Sequence, residues 1–67
     1  MQLSTRNQLK GTVKSVKRGA VMAEMIVDVQ GGEVVAEITL ASVERLGLKA
    51  GDQVTALIKS TDVMIGK

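Results

Sequence analysis

The sequence predicts a small all-β domain with one short helix, and three observations lead there. Apolar residues recur at every second position over several stretches, the signature of strands with one buried face. Gln30-Gly31-Gly32 separates two of these stretches, and glycine tolerates the positive φ angles that tight hairpins need. The alternation breaks once, over residues 41–46, where a serine stands near the start and a glycine follows the end.

Leu9, Gly11 and Val13 point one way while Lys10, Thr12 and Lys14 point the other, so residues 9–16 read as a first strand that Lys17, Arg18 and Gly19 bring to an end. Val21, Ala23, Met25, Val27 and Val29 alternate with Met22, Glu24, Ile26 and Asp28. Val34, Ala36, Ile38 and Leu40 alternate with Glu33, Val35, Glu37 and Thr39. These are the second and third strands, joined by the glycine hairpin. Over residues 41–46, Ser42 serves as N-cap and Gly47 falls where a left-handed residue ends a helix, which predicts one to two helical turns. Past the turn at Leu48, Lys49, Ala50, Gly51 and Asp52, the residues Val54, Ala56 and Ile58 alternate with Thr55, Leu57 and Lys59. A short last strand covers residues 63–65. Three strands, a helix and two strands match a five-stranded OB-like Greek-key barrel, with a short helix between strands 3 and 4, better than a sandwich, which usually needs more strands. Gly11 fits this fold, because the first strand of a small barrel must bend to serve both halves of the sheet and a residue without Cβ permits the bend or bulge. No repeat, linker or low-complexity stretch interrupts residues 1–67, which form a single domain.

A domain of 67 residues buries only about 60% of the surface its unfolded chain exposes. Chains this short are usually reinforced by disulfides, a structural metal or oligomerisation. With no Cys and no His, association is what remains, and the hydrophobic 45% of the chain contains no Phe, Tyr or Trp. The net charge of +2 falls short of the dense basic surface of a nucleic-acid binder. Neither a signal-peptide run nor the roughly 20 apolar residues of a membrane span is present, so a cytoplasmic protein with no membrane partner is expected.

General acid–base catalysis near neutral pH usually draws on His, on paired carboxylates in a cleft or on an activated Cys. Glu24, Asp28, Glu33 and Glu37 lie on the strand faces opposite the more apolar ones and read as a solvated surface, so no catalytic residues are assigned and no enzyme is expected. Donors gather at the segment ends instead: Ser4, Thr5, Arg6 and Asn7 before the first strand, Thr39 and Ser42 around the helix start, and Lys59, Ser60 and Thr61 after the fourth strand. A deprotonated tetrahedral dianion offers only acceptors, so its site is built from backbone N–H groups, hydroxyls, a guanidinium and an ammonium. Singly, Arg6 and Lys59 are ordinary surface charges and Ser42 an ordinary cap; their coincidence with adjacent hydroxyls suggests an oxyanion site. Lys14, Lys17 and Arg18 form a basic edge, and Met22, Met25 and Met64 read as packing residues.

The segments Ser4-Thr5-Arg6-Asn7-Gln8-Leu9-Lys10-Gly11, Ile38-Thr39 to Ser42-Val43, Arg45-Leu46-Gly47-Leu48, Gly51, and Ile58-Lys59-Ser60 to Val63-Met64-Ile65 together resemble a molbindin, the stand-alone Mop or TOBE-type domain. The likeness spans essentially the whole chain, with Thr5 standing where many members have Ala. It implies an OB-like fold that binds molybdate or tungstate as an oxyanion, with no metal cation and no organic cofactor, and that assembles as a trimer of dimers, here a homohexamer. Ser4, Thr5, Arg6, Lys59 and Ser60 would form one part of a molybdate site, and Thr39 and Ser42 another part from a neighbouring subunit. A second oxyanion site would use the loop Arg18, Gly19, Ala20 and Val21 near a symmetry axis. With no DNA-binding or ATPase segment, an intracellular store or buffer of molybdate is expected. Two other classes compete: a single-strand nucleic-acid binder, which lacks the aromatic side chains on which bases stack, and an oligomerisation module that carries no ligand.

Overall fold

The computed structural model describes residues 6–67. Strands β1 (Asn7–Arg18), β2 (Met22–Val29) and β3 (Gly32–Thr39) are followed by helix α1 (Leu40–Leu46) and strand β4 (Gln53–Ile58). All pairings are antiparallel, and the sheet order is β3-β2-β1-β4. β1 is thus shared: its first half pairs with β4, from Asn7 opposite Ile58 to Thr12 opposite Gln53, while its second half pairs with β2, from Gly11 opposite Val29 to Arg18 opposite Ala23.

Gly11 and Thr12 pair on both sides at once. The irregularity expected at Gly11 lies three residues on: Val13 pairs with Val27 and Ser15 with Ile26, so Lys14 is the extra residue of a bulge. Gly11 serves a different need, close approach. A Cβ there would collide with the Asp28 carbonyl oxygen and come within 2.8 Å of the Val27 Cγ1. At the bulge, Val13 holds the turn that leads into β4, since its N–H donates to the Asp52 carbonyl (2.9 Å) and its carbonyl accepts from the Gly51 N–H (2.8 Å).

The alternation reads through to burial. Val13, Ala23, Met25 and Val27 are buried on the inner face, with Val29, Ala36, Ile38 and Val54 packed against them. Val43 of α1 closes this cluster and is fully buried, which at typical values stabilises the fold by roughly 1.5–3 kcal/mol. The hairpin is tighter than expected, with Gln30 and Gly31 as its loop and Gly32 already paired to Val29; Gly31 carries the positive φ of 92°.

Two expectations need correction. The helix is capped by Thr39, whose Oγ1 accepts the Ser42 N–H at 3.1 Å, so Ser42 lies inside the first turn. Gly47 ends it as expected, at φ 62° and ψ 37°, with its N–H on the Glu44 carbonyl and the Leu48 N–H on the Val43 carbonyl, a Schellman arrangement. The last strand is absent: Ser60–Asp62 form a 3-10 helix and residues 63–67 have no regular structure. The sheet is therefore an open one of four strands rather than a closed barrel of five. A strand needs a partner edge, and residues 63–65 find none among the described residues.

Two exposed ion pairs fasten the sheet's periphery. Lys14 Nζ donates to Glu33 Oε2 at 2.6 Å, reaching from the bulge of β1 across β2 to the start of β3. This hydrogen bond, helped by charge, raises the Lys14 pKa and holds Glu33 below the usual glutamate value. Asp52 accepts from the Lys49 ammonium (3.1 Å) and backbone N–H (3.0 Å), and these bonds depress its pKa.

Gly11→Ala should lower stability by about 1–3 kcal/mol, the usual cost of forcing atoms into a packed site; an unchanged denaturant midpoint would show that β1 and β2 are not this close. A depressed carboxylate stabilises the fold at pH values above its ordinary pKa, 3.8 for Asp52, and loses that contribution as pH falls through its folded value. Asp52→Asn should accordingly lower the melting temperature slightly at pH 7 and hardly at all at pH 2. An equal loss at both pH values would contradict the assignment.

Candidate functional site

The β1–β4 register decides where the donors fall. One residue beyond the Asn7–Ile58 pair lie Arg6 on one strand and Lys59 on the other, with Ser60 next to Lys59. All three are exposed. Lys59 is the extended residue preceding the 3-10 helix (φ −63°, ψ 140°), and its carbonyl accepts the Asp62 N–H at 2.9 Å, which fixes the turn that presents Ser60. A guanidinium, an ammonium and a hydroxyl are thus carried at one end of the sheet. Ser4 and Thr5, expected to join them, lie outside the described residues.

Thr39 and Ser42 stand at the other end. Thr39 pairs with Met22 at the start of β2, and the Leu40 N–H donates to the Val21 carbonyl at 2.8 Å. The same end of the sheet holds Arg18, at the end of β1. Between Asn7 and Arg18, β1 advances about 36 Å along its path at roughly 3.3 Å per residue. One chain therefore joins Arg6, Lys59 and Ser60, separates them from Thr39 and Ser42, and sets the latter pair beside the loop of Arg18, Gly19, Ala20 and Val21.

At this second end the hydroxyls are linked. The Thr39 hydroxyl donates to Ser42 Oγ at 2.8 Å while its oxygen accepts the Ser42 N–H, so the Thr39 proton is committed and the Ser42 O–H is the one left to turn outward. A cavity of about 310 Å³ opens nearby, lined by Lys17, Arg18, Gly19, Met22, Ala23, Glu24 and Glu37. Of the expected loop, Arg18 and Gly19 line it; Ala20 and Val21 do not. Gly19 is held by its N–H on the Met22 carbonyl, 2.8 Å away. Arg18 Nη1 lies 3.8 Å from Glu44 Oε1. The sequence reading missed Lys17, Glu24 and Glu37 as wall residues. Alternation puts Glu24 and Glu37 on the outer face, but only the register, with Lys17 opposite Glu24 and Glu24 opposite Glu37, brings the three into one row. Two carboxylates in the wall oppose capture of a free anion by this chain alone. Among the described residues no group of acidic, His or Cys side chains could hold a metal ion, and no helix is long and apolar enough to cross a membrane.

A small, mostly β module with a single helix, carrying donor groups at both ends of a shared strand, is the class that these features define. The chain belongs to the TOBE domain family, whose model matches residues 3–65. It is 54% identical over 66 residues to molybdenum-pterin-binding protein 3 of Clostridium pasteurianum, covering 97% of each chain. Among solved structures it is similar to a molybdate-binding protein from Sporomusa ovata (TM-score 0.94, 48% identity, all of both chains). It is also similar to the cytoplasmic molybdate-binding protein ModG with molybdate bound (TM-score 0.84, 46% identity, 90% of this chain and 43% of that one). These relatives are named as binding proteins, not as enzymes.

Thr39→Ala should cost about 0.5–2 kcal/mol through loss of the helix cap, whereas Ser42→Ala, which keeps its N–H on Thr39, should cost less. Urea unfolding of both variants checks the ranking, and the reverse order would restore Ser42 as the cap.

Proposed function

We propose that this chain binds molybdate or tungstate as a bare oxyanion and, as a homo-oligomer, stores or buffers it in the cytoplasm without catalysing a reaction and without an organic cofactor. The observation that carries the reading is the β1–β4 register, which puts Arg6, Lys59 and Ser60 just beyond the same end of the ladder. The names of two relatives similar along nearly the whole chain, a molybdenum-pterin-binding protein and a molybdate-binding protein, support this choice of ligand. Ser4 and Thr5 would add a hydroxyl and backbone N–H groups to the same end. Ser42, oriented by Thr39, would complete the pocket from a neighbouring subunit, because its own chain holds it at the far end of β1. The loop of Arg18, Gly19, Ala20 and Val21 would be a second oxyanion site only where neighbouring chains add donors to outweigh Glu24 and Glu37. Such sites tie occupancy to assembly, since a ligand that binds only the associated state stabilises it by mass action. A homohexamer built as a trimer of dimers suits this coupling, and closure of each open sheet into a five-stranded barrel would accompany it.

Titration calorimetry with molybdate, tungstate, sulfate, phosphate and a short oligonucleotide tests the proposal. Molybdate and tungstate should bind with the highest affinity. Arg6→Ala should weaken them by about 1.5–3 kcal/mol, the value of a hydrogen bond to a charged group, or about 10- to 150-fold. Silence toward both oxyanions, or oligonucleotide binding that fades steeply with salt, would overturn it.

A further inference from the structure

Four of the chain's seven acidic residues stand on the outer face of β2 and β3, as the facing pairs Glu24–Glu37 and Asp28–Glu33. The β1–β4 half of that face carries none. Directly paired residues of an antiparallel ladder share a face and successive ones alternate. Gln8 with Leu57, Lys10 with Thr55 and Thr12 with Gln53 therefore lie on the side opposite Val54, which packs against the core. The outer face is thus divided, acidic along β2 and β3 and free of carboxylates along β1 and β4, with the boundary where Thr12 stands opposite Asp28.

Along the boundary, opposite charges offset one another. Lys14 donates to Glu33, and Lys17 stands opposite Glu24. Lys10 differs from both: it is exposed, its cross-strand neighbour is the neutral Thr55, and among the described residues it forms no ion pair. It lies four residues from Arg6, about 13 Å along the strand at roughly 3.3 Å per residue. Arg6 and Lys59 follow just beyond the end of the same ladder, where the 3-10 helix adds a single carboxylate, Asp62.

We infer that the carboxylate-free outer face of β1 and β4 is the approach by which a tetrahedral dianion reaches Arg6, Lys59 and Ser60, and that Lys10 speeds its capture without touching it once bound. This rests on the oxyanion reading above and adds the route and its kinetics. A net charge of +2 spread evenly over the surface would steer an anion weakly. Segregation changes that, because the acidic half repels the anion while Lys10 draws it along the half that leads to the donors. A dianion feels each fixed charge twice as strongly as a monoanion does. At 13 Å the field of Lys10 persists at an ionic strength of about 0.01 M, where the Debye length is about 30 Å, and is extinguished at about 1 M, where it is about 3 Å. A cation placed outside the contacts acts on association and leaves dissociation alone.

Rapid-filtration chase of radiolabelled molybdate by unlabelled molybdate gives the dissociation rate, equilibrium dialysis gives the dissociation constant, and their ratio gives the association rate. At an ionic strength of about 0.01 M, Lys10→Gln should slow association roughly two- to threefold and Lys10→Glu roughly four- to ninefold, with dissociation unchanged and both differences gone at about 1 M salt. Lys49→Gln removes the same charge from the turn at the far end of β4, where Lys49 pairs with Asp52, and should leave association almost as it was. Unaltered association in both Lys10 variants would overturn the inference. So would an equal slowing by Lys49→Gln, which would assign the effect to net charge, or a faster dissociation that persists at 1 M salt, which would make Lys10 a contact of the bound anion. A wild-type protein that takes up no molybdate in dialysis would sink the oxyanion reading and this inference with it, whereas a wild-type protein that binds molybdate at a rate indifferent to Lys10 would sink the inference alone.

Discussion

Everything in this fold depends on β1 hydrogen-bonding to two strands in succession. Its first half belongs to β4 and its second half to β2, and the handover at Gly11 and Thr12 requires the backbone of β2 to come closer than a side chain allows. The bulge at Lys14 follows at once, adding local twist where the strand leaves one partner for the other. Val13 anchors the turn before β4 from the same point, and Lys14 fastens β3 through Glu33. A dozen residues thus organise three other strands.

That arrangement also dictates how donors can be used. The register puts the guanidinium before β1 at the end of the sheet where β1 meets the end of β4, and the capped hydroxyl after β3 at the end where β1 meets the start of β2. Their chemistry is complementary, and their separation is what leads the proposed function to a pocket shared between subunits. Carboxylates reinforce the point. Glu24 and Glu37 stand in the same cavity wall as Lys17 and Arg18, so the two carboxylates offset the two cations there.

Much of this was legible in the residues. Period-2 alternation located β1 through β4 and the inner face, and Gly31, Gly47 and Gly51 marked chain reversals, each adopting a positive φ. Sequence reasoning went astray where two local solutions compete. Thr39 and Ser42 can each cap a helix, and Thr39 takes the position where the Leu40 N–H also donates to the Val21 carbonyl, a contact between distant segments. Residues 63–65 carry a strand pattern without a strand, since pattern fixes which face is apolar and says nothing of whose edge will receive it. The placement of Arg6 and Lys59 at one end of the sheet depended on the register of β1 against β4, which alternation alone leaves free to slip. The row of Lys17, Glu24 and Glu37 was hidden for the same reason.

The claim at the centre is that oxyanion pockets are assembled from opposite ends of different chains. Complementation tests it most directly. One preparation carries Arg6→Ala and Lys59→Ala, another carries Thr39→Ala and Ser42→Ala, and molybdate capacity is measured by equilibrium dialysis for each alone and for the two refolded as a mixture. Each alone should bind weakly, while the mixture regains a fraction of the wild-type sites, because some boundaries then join two intact halves. A mixture that binds no more than the average of its components would contradict the account.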